Sequence, residues 1–412
     1  IDDETYRRAW RTPKELDDST VVLMLAVVVA MVAGTVVAAL LEHDRDARLR
    51  STWPAISEVT LDLMRRIYPL LIGLTLFGYV VWIGVGLLRG LNIDDIRTVL
   101  TTQDNFLLPI KDKLDTIPGL TTLSQMAVPA TIVGVLIDMR RPSVWVRRAY
   151  RITIALALVR AFMLAERLAI AEIIVPVVAL RATALGHRLN GRRRLLLTFA
   201  PILGLILLVG GFAASEYSRS WNWYSGRTDD GFVSFASERL LGYYATAHNN
   251  GALTLRHGET VTDVPYHTTA FVWHIPPGSQ VGADFVDDVG DDKRRVLKGF
   301  GNPEFNSPSG LASILVDYGK VGGLLFAFLL GLVIGALHLS FLHGRILGLL
   351  TYPMVFTGLL ELPRYLYWFQ GRATPTVAIA VTMTVLVARS RRTRIVPRAV
   401  VAPLPPTRIG SR

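Results

Sequence analysis

Three stretches of the sequence run for about 20 residues without a charged side chain, and they constrain the fold more than any other feature. They are residues 21–41, 67–88 and 195–214. A helix of this length crosses the roughly 30 Å hydrocarbon core of a bilayer. Runs this continuous are typical of helices rather than of the alternating strands of a membrane barrel. The sequence therefore predicts an all-α polytopic membrane protein.

Composition agrees with this class and excludes several others. The 412 residues are 51% hydrophobic and 19% charged, whereas soluble domains carry about 25% charged residues. There is no cysteine, which excludes disulfides and cysteine-ligated metals. The net charge of +11 is explained by arginines in short loops between spans, where the positive-inside rule places them. No nucleic-acid partner is therefore expected.

Four basic segments orient the predicted spans, and all are expected in the cytoplasm. They are residues 140–151, 187–194, the turn around Arg345, and 389–398. About nine membrane segments then follow in chain order: 21–41, 67–88, 120–138, a hairpin within 151–181, 195–214, one within 311–342, 346–362 and 374–388. The long segment 215–310 is expected outside the membrane on the extracytoplasmic side.

This topology divides the chain into four parts. Residues 1–214 form N-terminal transmembrane helices, 215–310 an extracytoplasmic loop domain, 311–390 C-terminal transmembrane helices, and 391–412 a cytoplasmic basic tail. The first residue, Ile1, is expected on the extracytoplasmic side, which predicts a further helix upstream of it.

The stretch 151–181 is unusual because both of its flanks are basic, so it must leave the cytoplasm and return. Two arms of about 14 residues each rise only about 21 Å. We therefore expect a short or re-entrant hairpin. The alternative is one long helix, which would place residues 187–194 outside.

The hairpin carries four charged residues: Arg160, Glu166, Arg167 and Glu172. A charge at the bilayer centre costs about 2.5–3.5 kcal/mol on insertion scales, so these groups need partners, water or a ligand. They form either internal salt bridges or a site for an anionic ligand, because arginine binds phosphate oxygens through two parallel hydrogen bonds. If the intervening residues are helical, Arg160 and Arg167 share one face about 10 Å apart, a spacing that suits a diphosphate or two neighbouring lipid-linked substrates.

The segment 215–310 begins with aromatic residues among arginines: Trp221, Trp223 and Tyr224 beside Arg219 and Arg227. They form either an interfacial aromatic belt or a surface for sugars or lipid headgroups. The next part is predicted to be helical as far as Ala247 and then to turn at Asn249-Asn250-Gly251. On that helix Arg239, Tyr243 and His248 fall within about two and a half turns.

No metal site is expected. The spacings of His248, His267 and His274 match no zinc signature. The acidic run 284–295 lacks the spacing of a calcium loop and is interpreted as a solvated surface. Near the C-terminus, Arg364 lies three residues after Glu361, just past a predicted span. It is either a snorkelling arginine among interfacial aromatics or part of a site.

Several segments together carry a family resemblance. They are 117–130 (IPGLTTLSQMAVPA), the hairpin LVRAFMLAERLAIAEIIVP, the stretch RLLGYYATAHNNGAL, and above all 302–335, which begins NPEFNSPSGLASILVDYG. Over roughly residues 100–370 the chain resembles the Wzy-like O-antigen polymerases, which polymerise oligosaccharide repeat units and belong to the glycosyltransferase C superfamily.

The resemblance implies transfer of a glycan from undecaprenyl diphosphate to another lipid-linked repeat unit, on the outer face of the bacterial cytoplasmic membrane. It implies no nucleotide sugar, cofactor or metal, and as partners the lipid bilayer, a flippase and a chain-length regulator. Arginines would neutralise the leaving diphosphate. A histidine or carboxylate would take the proton of the acceptor hydroxyl.

The site residues that the resemblance and the charge pattern imply fall into two groups. The catalytic candidates are Arg160, Arg167, Glu166, Glu172 and His248, and the base is one of the last three. The substrate-binding candidates are Arg239, Tyr243, Tyr244, Asn249, Asn250, Arg364 and Tyr365.

Two other functions share these features. An O-antigen-ligase-like enzyme would use the same donor with a different acceptor. A transporter for the same lipid would not be an enzyme, but transporters often contain internal repeats. The two halves of this chain show no repeat, and the large extracytoplasmic segment favours an enzyme.

Overall fold

The computed structural model describes residues 2–42, 53–95, 97, 112–114, 117, 120–164, 166–188, 200–217, 221, 225–226, 231–258, 264–273 and 278–393. Regular structure in these residues is helical. The longer helices are α1 (Asp3–Trp10), α2 (Asp18–Glu42), α3 (Glu58–Leu88), α4 (Ala127–Arg140), α5 (Val144–Met163), α6 (Arg167–Arg188), α7 (Ala200–Glu216), α8 (Phe232–His257), α9 (Ala283–Phe300), α10 (Gly310–Leu342), α11 (Ile346–Glu361) and α12 (Thr374–Thr393). The short helices are Thr121–Met126, Ala270–Trp273, Gly278–Val281 and Tyr367–Phe369.

Among the described residues, five helical segments are long and apolar enough to span a membrane: Asp18–Glu42, Glu58–Leu88, Thr121–Arg140, Leu168–Gly186 and Gly310–Leu342. Shorter apolar helices accompany them at Ile346–Glu361 and Thr374–Arg389. The expected class, an all-α polytopic membrane protein, is confirmed at this level.

Helix α4 lies at the centre of the bundle. Its side chains are buried on every side, including Ile132, Val133, Leu136 and Ile137. It contacts α3, α5, α6, α11 and α12. A helix surrounded in this way needs no polar face, which explains why its sequence is apolar without a helical period.

Helices α2 and α10 form the most extensive helix pair, and small residues allow it. Gly34 and Gly331 each lie against the backbone of the opposite helix, so a Cβ atom at either position would clash. Thr35 Oγ1 also donates a hydrogen bond to the Gly331 carbonyl oxygen at 3.0 Å. Close backbone approach through small residues and a polar bond is how helices associate where the surrounding lipid is as apolar as their side chains.

The stretch 151–181 is shared by two helices: α5 ends at Met163 and α6 begins at Arg167. Both helices extend beyond the expected arms of about 14 residues, because α5 begins at Val144 and α6 ends at Arg188. Helix α5 has 20 residues and α6 has 22, which corresponds to about 30 and 33 Å. Both helices continue into the basic flanks because arginines there find a buried carboxylate, described next.

That carboxylate is Asp138, at the end of α4. It accepts a hydrogen bond from Arg147 at 3.0 Å and from Arg181 at 2.8 Å. This ties together the end of α4, the start of α5 and the end of α6. At the same end, Arg141 pairs with Glu58 at the start of α3.

A further ion pair extends this grouping: Arg345, in the turn between α10 and α11, pairs with Glu42 at the end of α2, 2.6 Å apart. The basic segments that the structure describes here therefore converge on one end, called the basic end below. Residues 189–194 and 394–398 of the other two basic segments, and 195–199 of the predicted span 195–214, lie outside the described residues.

The N-terminal segment packs against helix α8. The Tyr6 hydroxyl donates to the Ala245 carbonyl oxygen at 3.2 Å, and Trp10 Nε1 donates to the Glu238 carbonyl oxygen at 3.2 Å. Because α2 connects this segment to Glu42, α1 and α8 lie at the end of the bundle opposite the basic end.

Helix α8 continues through Asn249-Asn250-Gly251 to His257, so the predicted turn is wrong. The Asn249 side chain accepts hydrogen bonds from the amides of Glu15 and Leu16 at 2.7 and 3.0 Å. Gly251 lies against α10, where a Cβ atom would be 2.5 Å from the Ala312 Cβ. The polar side chains thus bind neighbouring segments instead of forming a local turn.

Helix α10 has 33 residues, or about 50 Å, which exceeds the thickness of a hydrocarbon core. It is divided by Gly319, whose φ of 68° is accessible to glycine at little cost. The kink separates a nine-residue start, Gly310 to Tyr318, from the long apolar remainder. Asp317 therefore lies in the short part of α10, before the long apolar remainder.

Candidate functional site

A cavity of about 1390 Å³ lies at the end of the bundle opposite the basic end. Its walls come from the short helix Thr121–Met126, the α5–α6 break, residues 266–273, α9, the start of α10 and the segment before α12. Segments far apart in the sequence therefore share one partly open cavity. Its charged lining residues include Arg160, Glu166 and Arg372 on one wall and His267, Lys293 and Asp317 on another.

On the first wall, Arg160, Glu166 and Arg372 line the cavity and form a cluster with the buried Glu172, which does not line it. These four residues are called the arginine cluster below. Arg372 Nη2 donates to Glu166 Oε2 at 2.7 Å, and its Nε lies 3.3 Å from Glu172 Oε1. Arg160 Nη2 is 3.6 Å from the same Glu166 oxygen. The Tyr367 hydroxyl donates to the Glu172 carboxylate. The hairpin and the segment before α12 are joined by these contacts.

Arg160 is 6% exposed, yet its Nε has no hydrogen-bond partner among the described residues. A distance of 3.6 Å to Glu166 exceeds the range of a hydrogen bond. A buried guanidinium normally finds several acceptors, since burying an unpaired charge is costly. The cavity side of Arg160 is therefore suited to an anion that brings its own oxygens.

Sequence reasoning missed Arg372, which belongs to the same cluster. It lies in the segment ELPRYLYWFQGR, of which sequence reasoning considered Glu361, Arg364 and Tyr365 but not Arg372. The available signal was its position immediately before an apolar helix, on the side opposite the basic end. The spacing of 206 residues from Glu166 gives no local pattern from which the ion pair could be read.

The opposite wall is held by Asp317 at the end of the short first part of α10. Its Oδ1 accepts from the amides of Tyr266 and His267 at 3.2 and 3.1 Å. Its Oδ2 accepts from the Thr268 amide and hydroxyl, both at 2.7 Å. One carboxylate thereby fixes three successive backbone N–H groups and presents His267 to the cavity.

Burial lowers the pKa of His267, an effect that Lys293 reinforces and Asp317 opposes. Its imidazole is therefore neutral at pH 7 and able to accept a proton. Sequence reasoning considered His267 only as a metal ligand. No group of three or more His, Asp or Glu side chains within the described ranges could hold a metal, and His274 lies outside those ranges.

The acidic run 284–295 is part of helix α9, and its interpretation as a solvated surface is incomplete. Asp288 and Asp291 are exposed. Asp287, Asp292 and Lys293, however, line the cavity.

The predicted residues of α8 do not line this cavity. Arg239 is buried between Glu216, at 3.4 Å, and Glu304, at 2.7 Å. His248 Nδ1 lies 3.3 Å from the Ser309 hydroxyl at the start of α10. The Asn250 side-chain amide donates to the Ser307 carbonyl oxygen at 3.1 Å. Together with Asn249, these side chains hold α8 against its neighbours.

Arg364 belongs to a second group beside the cavity. It pairs with Glu361 at 3.0 Å and lies over the rings of Tyr243 and Tyr365, 5.4 and 5.1 Å from their centroids. Tyr365 also lines the cavity and so connects the two groups. Tyr244, the neighbour of Tyr243, is partly exposed.

Other predicted residues fall partly or wholly outside the described ranges. The backbone of Arg167 begins α6, but its side chain is not among the described ones. The sequence predicts Arg160 and Arg167 on one face of a continuous helix, whereas Arg160 lies in α5 and Arg167 in α6. Trp221 packs against Phe232 and Phe235. Arg219, Trp223, Tyr224 and Arg227 lie outside the described residues.

No family model, curated protein or solved structure matches the chain. Function is therefore inferred from the chemistry of the cavity and from the resemblance in the sequence. Arg160 and Arg372 can stabilise negative charge that develops on a leaving group. A neutral His267 and the nearby carboxylates can accept a proton from a hydroxyl.

Proposed function

We propose that this protein is a membrane glycosyltransferase that polymerises undecaprenyl-diphosphate-linked oligosaccharide repeat units into a surface polysaccharide. The observation that carries the proposal is the buried, incompletely bonded Arg160, with Arg372 beside it in the same cavity. Two guanidiniums at the end of membrane helices are suited to a diphosphate whose lipid chain remains in the bilayer.

The size of the cavity supports a large substrate. Pockets for ordinary small molecules measure about 300–1,000 Å³, whereas this one has about 1390 Å³. Its second wall offers the aromatic rings of Tyr266 and Trp273 beside polar groups, a combination that suits sugar rings.

The reaction that fits these groups is a displacement at an anomeric carbon. A hydroxyl of the acceptor glycan attacks that carbon, and the bond from the carbon to the diphosphate oxygen breaks. The leaving diphosphate keeps the electron pair, and Arg160 and Arg372 stabilise its charge. The hydroxyl proton passes to a base, for which His267 and Glu166 are the candidates that line the cavity.

The proposed topology has nine membrane segments, formed by α2, α3, Thr121–Arg140, α5, α6, α7, α10, α11 and α12. The basic end would face the cytoplasm according to the positive-inside rule. The cavity would then open on the extracytoplasmic face of a bacterial cytoplasmic membrane, with 215–310 on that side and 391–412 in the cytoplasm.

The test is a reconstituted reaction. The purified protein in lipid nanodiscs is incubated with one lipid-diphosphate-linked repeat unit, and the products are separated by length. We expect a ladder of glycans that is lost with Arg372→Gln and retained with Arg294→Gln, an exposed arginine of α9.

Two results would contradict polymerisation. Transfer of a single glycan only to a different lipid acceptor would indicate a ligase-like enzyme. Movement of the lipid-linked glycan across the membrane without any new glycosidic bond would indicate a transporter.

A further inference from the structure

Glu166 differs from the other members of the arginine cluster in how it is held. It lies in the break between α5 and α6, and its side chain is 33% exposed, compared with 2% for Glu172. Glu172 is fixed within α6 and bonded by Tyr367. Glu166 therefore has room to change its side-chain conformation, whereas Glu172 does not.

The position of the Glu166 carboxylate is also particular. The same oxygen, Oε2, lies 2.7 Å from Arg372 Nη2 and 3.6 Å from Arg160 Nη2. One oxygen between two guanidiniums is the arrangement that a phosphate oxygen adopts in a diarginine site. This carboxylate does not satisfy the whole site, because the buried Arg160 Nε has no hydrogen-bond partner among the described residues.

The remaining contacts show that both arginines keep their positions when Glu166 moves. Arg372 is additionally anchored by Glu172 through its Nε. Arg160 is confined by its buried position on α5. Both guanidiniums would thus stay in place if Glu166 moved away, and they would present their donors to another anion.

We propose that Glu166 and the diphosphate of the substrate compete for one anion-binding position between Arg160 and Arg372. This inference rests on the proposed function and adds a specific role for Glu166, that of an internal competitor. A diphosphate supplies more oxygens and more charge than one carboxylate, so it displaces Glu166. When no substrate is bound, the Glu166 carboxylate occupies the position and prevents weaker monoanions from binding there.

If Glu166 competes with the diphosphate, removing the negative charge of Glu166 should strengthen diphosphate binding. Inorganic diphosphate is titrated calorimetrically into the purified full-length protein without divalent cations. Glu166→Gln removes the competing charge, so we expect its Kd to fall about fivefold, the size of one modest ion pair. Glu166→Asp keeps the carboxylate and should remain within about twofold of the unsubstituted protein.

A matched control is available at the basic end. Glu58 also lies near two arginines, Arg140 and Arg141. Glu58→Gln therefore makes the same change of net charge far from the cavity and should leave the affinity unchanged. Equal tightening by this variant would mean that net charge, not local competition, causes the effect, and would overturn the inference.

The other outcomes separate this inference from the proposed function. If the unsubstituted protein binds diphosphate but Glu166→Gln binds equally or more weakly, Glu166 is not a competitor, and the proposed function is unaffected. If neither protein binds diphosphate, while both unfold cooperatively, the anion site itself is wrong and both proposals fail.

Discussion

Replacing Asp317 with asparagine tests how the chain segment that carries His267 is held at the cavity. Each carboxylate oxygen of Asp317 accepts two hydrogen bonds, from the amides of Tyr266 and His267 on one side and from Thr268 on the other. The amide nitrogen of asparagine cannot accept. With that nitrogen at the Oδ1 position, both bonds from Tyr266 and His267 are lost. With the nitrogen at the Oδ2 position, the Thr268 amide bond is lost, whereas the Thr268 hydroxyl can turn and accept. In both orientations the bonds that remain are made to a neutral side chain.

The expected cost follows from this count. A hydrogen bond to a charged group contributes about 1.5–3 kcal/mol and one between neutral groups about 0.5–1.5 kcal/mol, so the lost and weakened bonds together destabilise the docked segment by about 3 kcal/mol. Because 1.4 kcal/mol is a factor of ten, the local opening equilibrium should rise by about 100-fold. The bundle should stay folded, since the loss concerns a local contact outside the apolar core.

Native-state hydrogen exchange measures this effect directly, because the affected donors are themselves amides. With Asp317→Asn, the amides of residues 266–268 should exchange about 100-fold faster, while those of α4 keep their protection. The rate of glycan transfer should fall in parallel because His267 leaves the cavity. Asp291→Asn, at an exposed position of α9, should change neither quantity. Unchanged exchange at 266–268 would show that Asp317 does not hold this segment.

Three further predictions concern other parts of the molecule. Arg372→Lys should lower the transfer rate by about 10²–10³, nearly as much as Arg372→Gln, because lysine keeps the charge but lacks the planar fork. Gly251→Ala should lower the stability of the detergent-solubilised protein by about 1–3 kcal/mol, since its new Cβ would be 2.5 Å from the Ala312 Cβ. Gly84→Ala, where nothing lies within 4 Å of a new Cβ, should not destabilise. Burial lowers the pKa of His267, so the unfolded chain binds more protons than the folded protein as the pH falls through about 6.5. The melting temperature should therefore drop between pH 7.5 and 5.5. This drop should be smaller in His267→Gln.

Each of these has a result that would contradict it. Full activity of Arg372→Lys would show that only charge matters at that position. Equal melting temperatures of the two glycine variants would mean that α8 and α10 are not tightly packed at Gly251. A pH dependence of the melting temperature that is identical with and without His267 would show that its burial is not linked to stability.

The class of the protein could be read from the sequence because it depends on local composition. An uninterrupted apolar run of about 20 residues is itself the physical requirement for crossing a bilayer. The interruption within 151–181 could also be predicted from the sequence, because charged residues at both flanks and near the centre disfavour a single membrane-spanning helix. In the structure, helix α5 ends at Met163 and helix α6 begins at Arg167. The lengths of helices α5 and α6 could not be predicted, because they depend on Asp138 of helix α4, which accepts hydrogen bonds from Arg147 and Arg181.

The cavity was decided by tertiary structure. Asn249 and Asn250 follow a turn-like pattern, yet they bind segments more than 50 residues away and leave α8 continuous. Arg372 and Glu166 carry no mutual signal in the chain, and His267 becomes a cavity residue only because Asp317 holds its backbone. Hydrophobic length is a property of one segment. The convergence of side chains depends on how the helices pack, and no local pattern of residues encodes it.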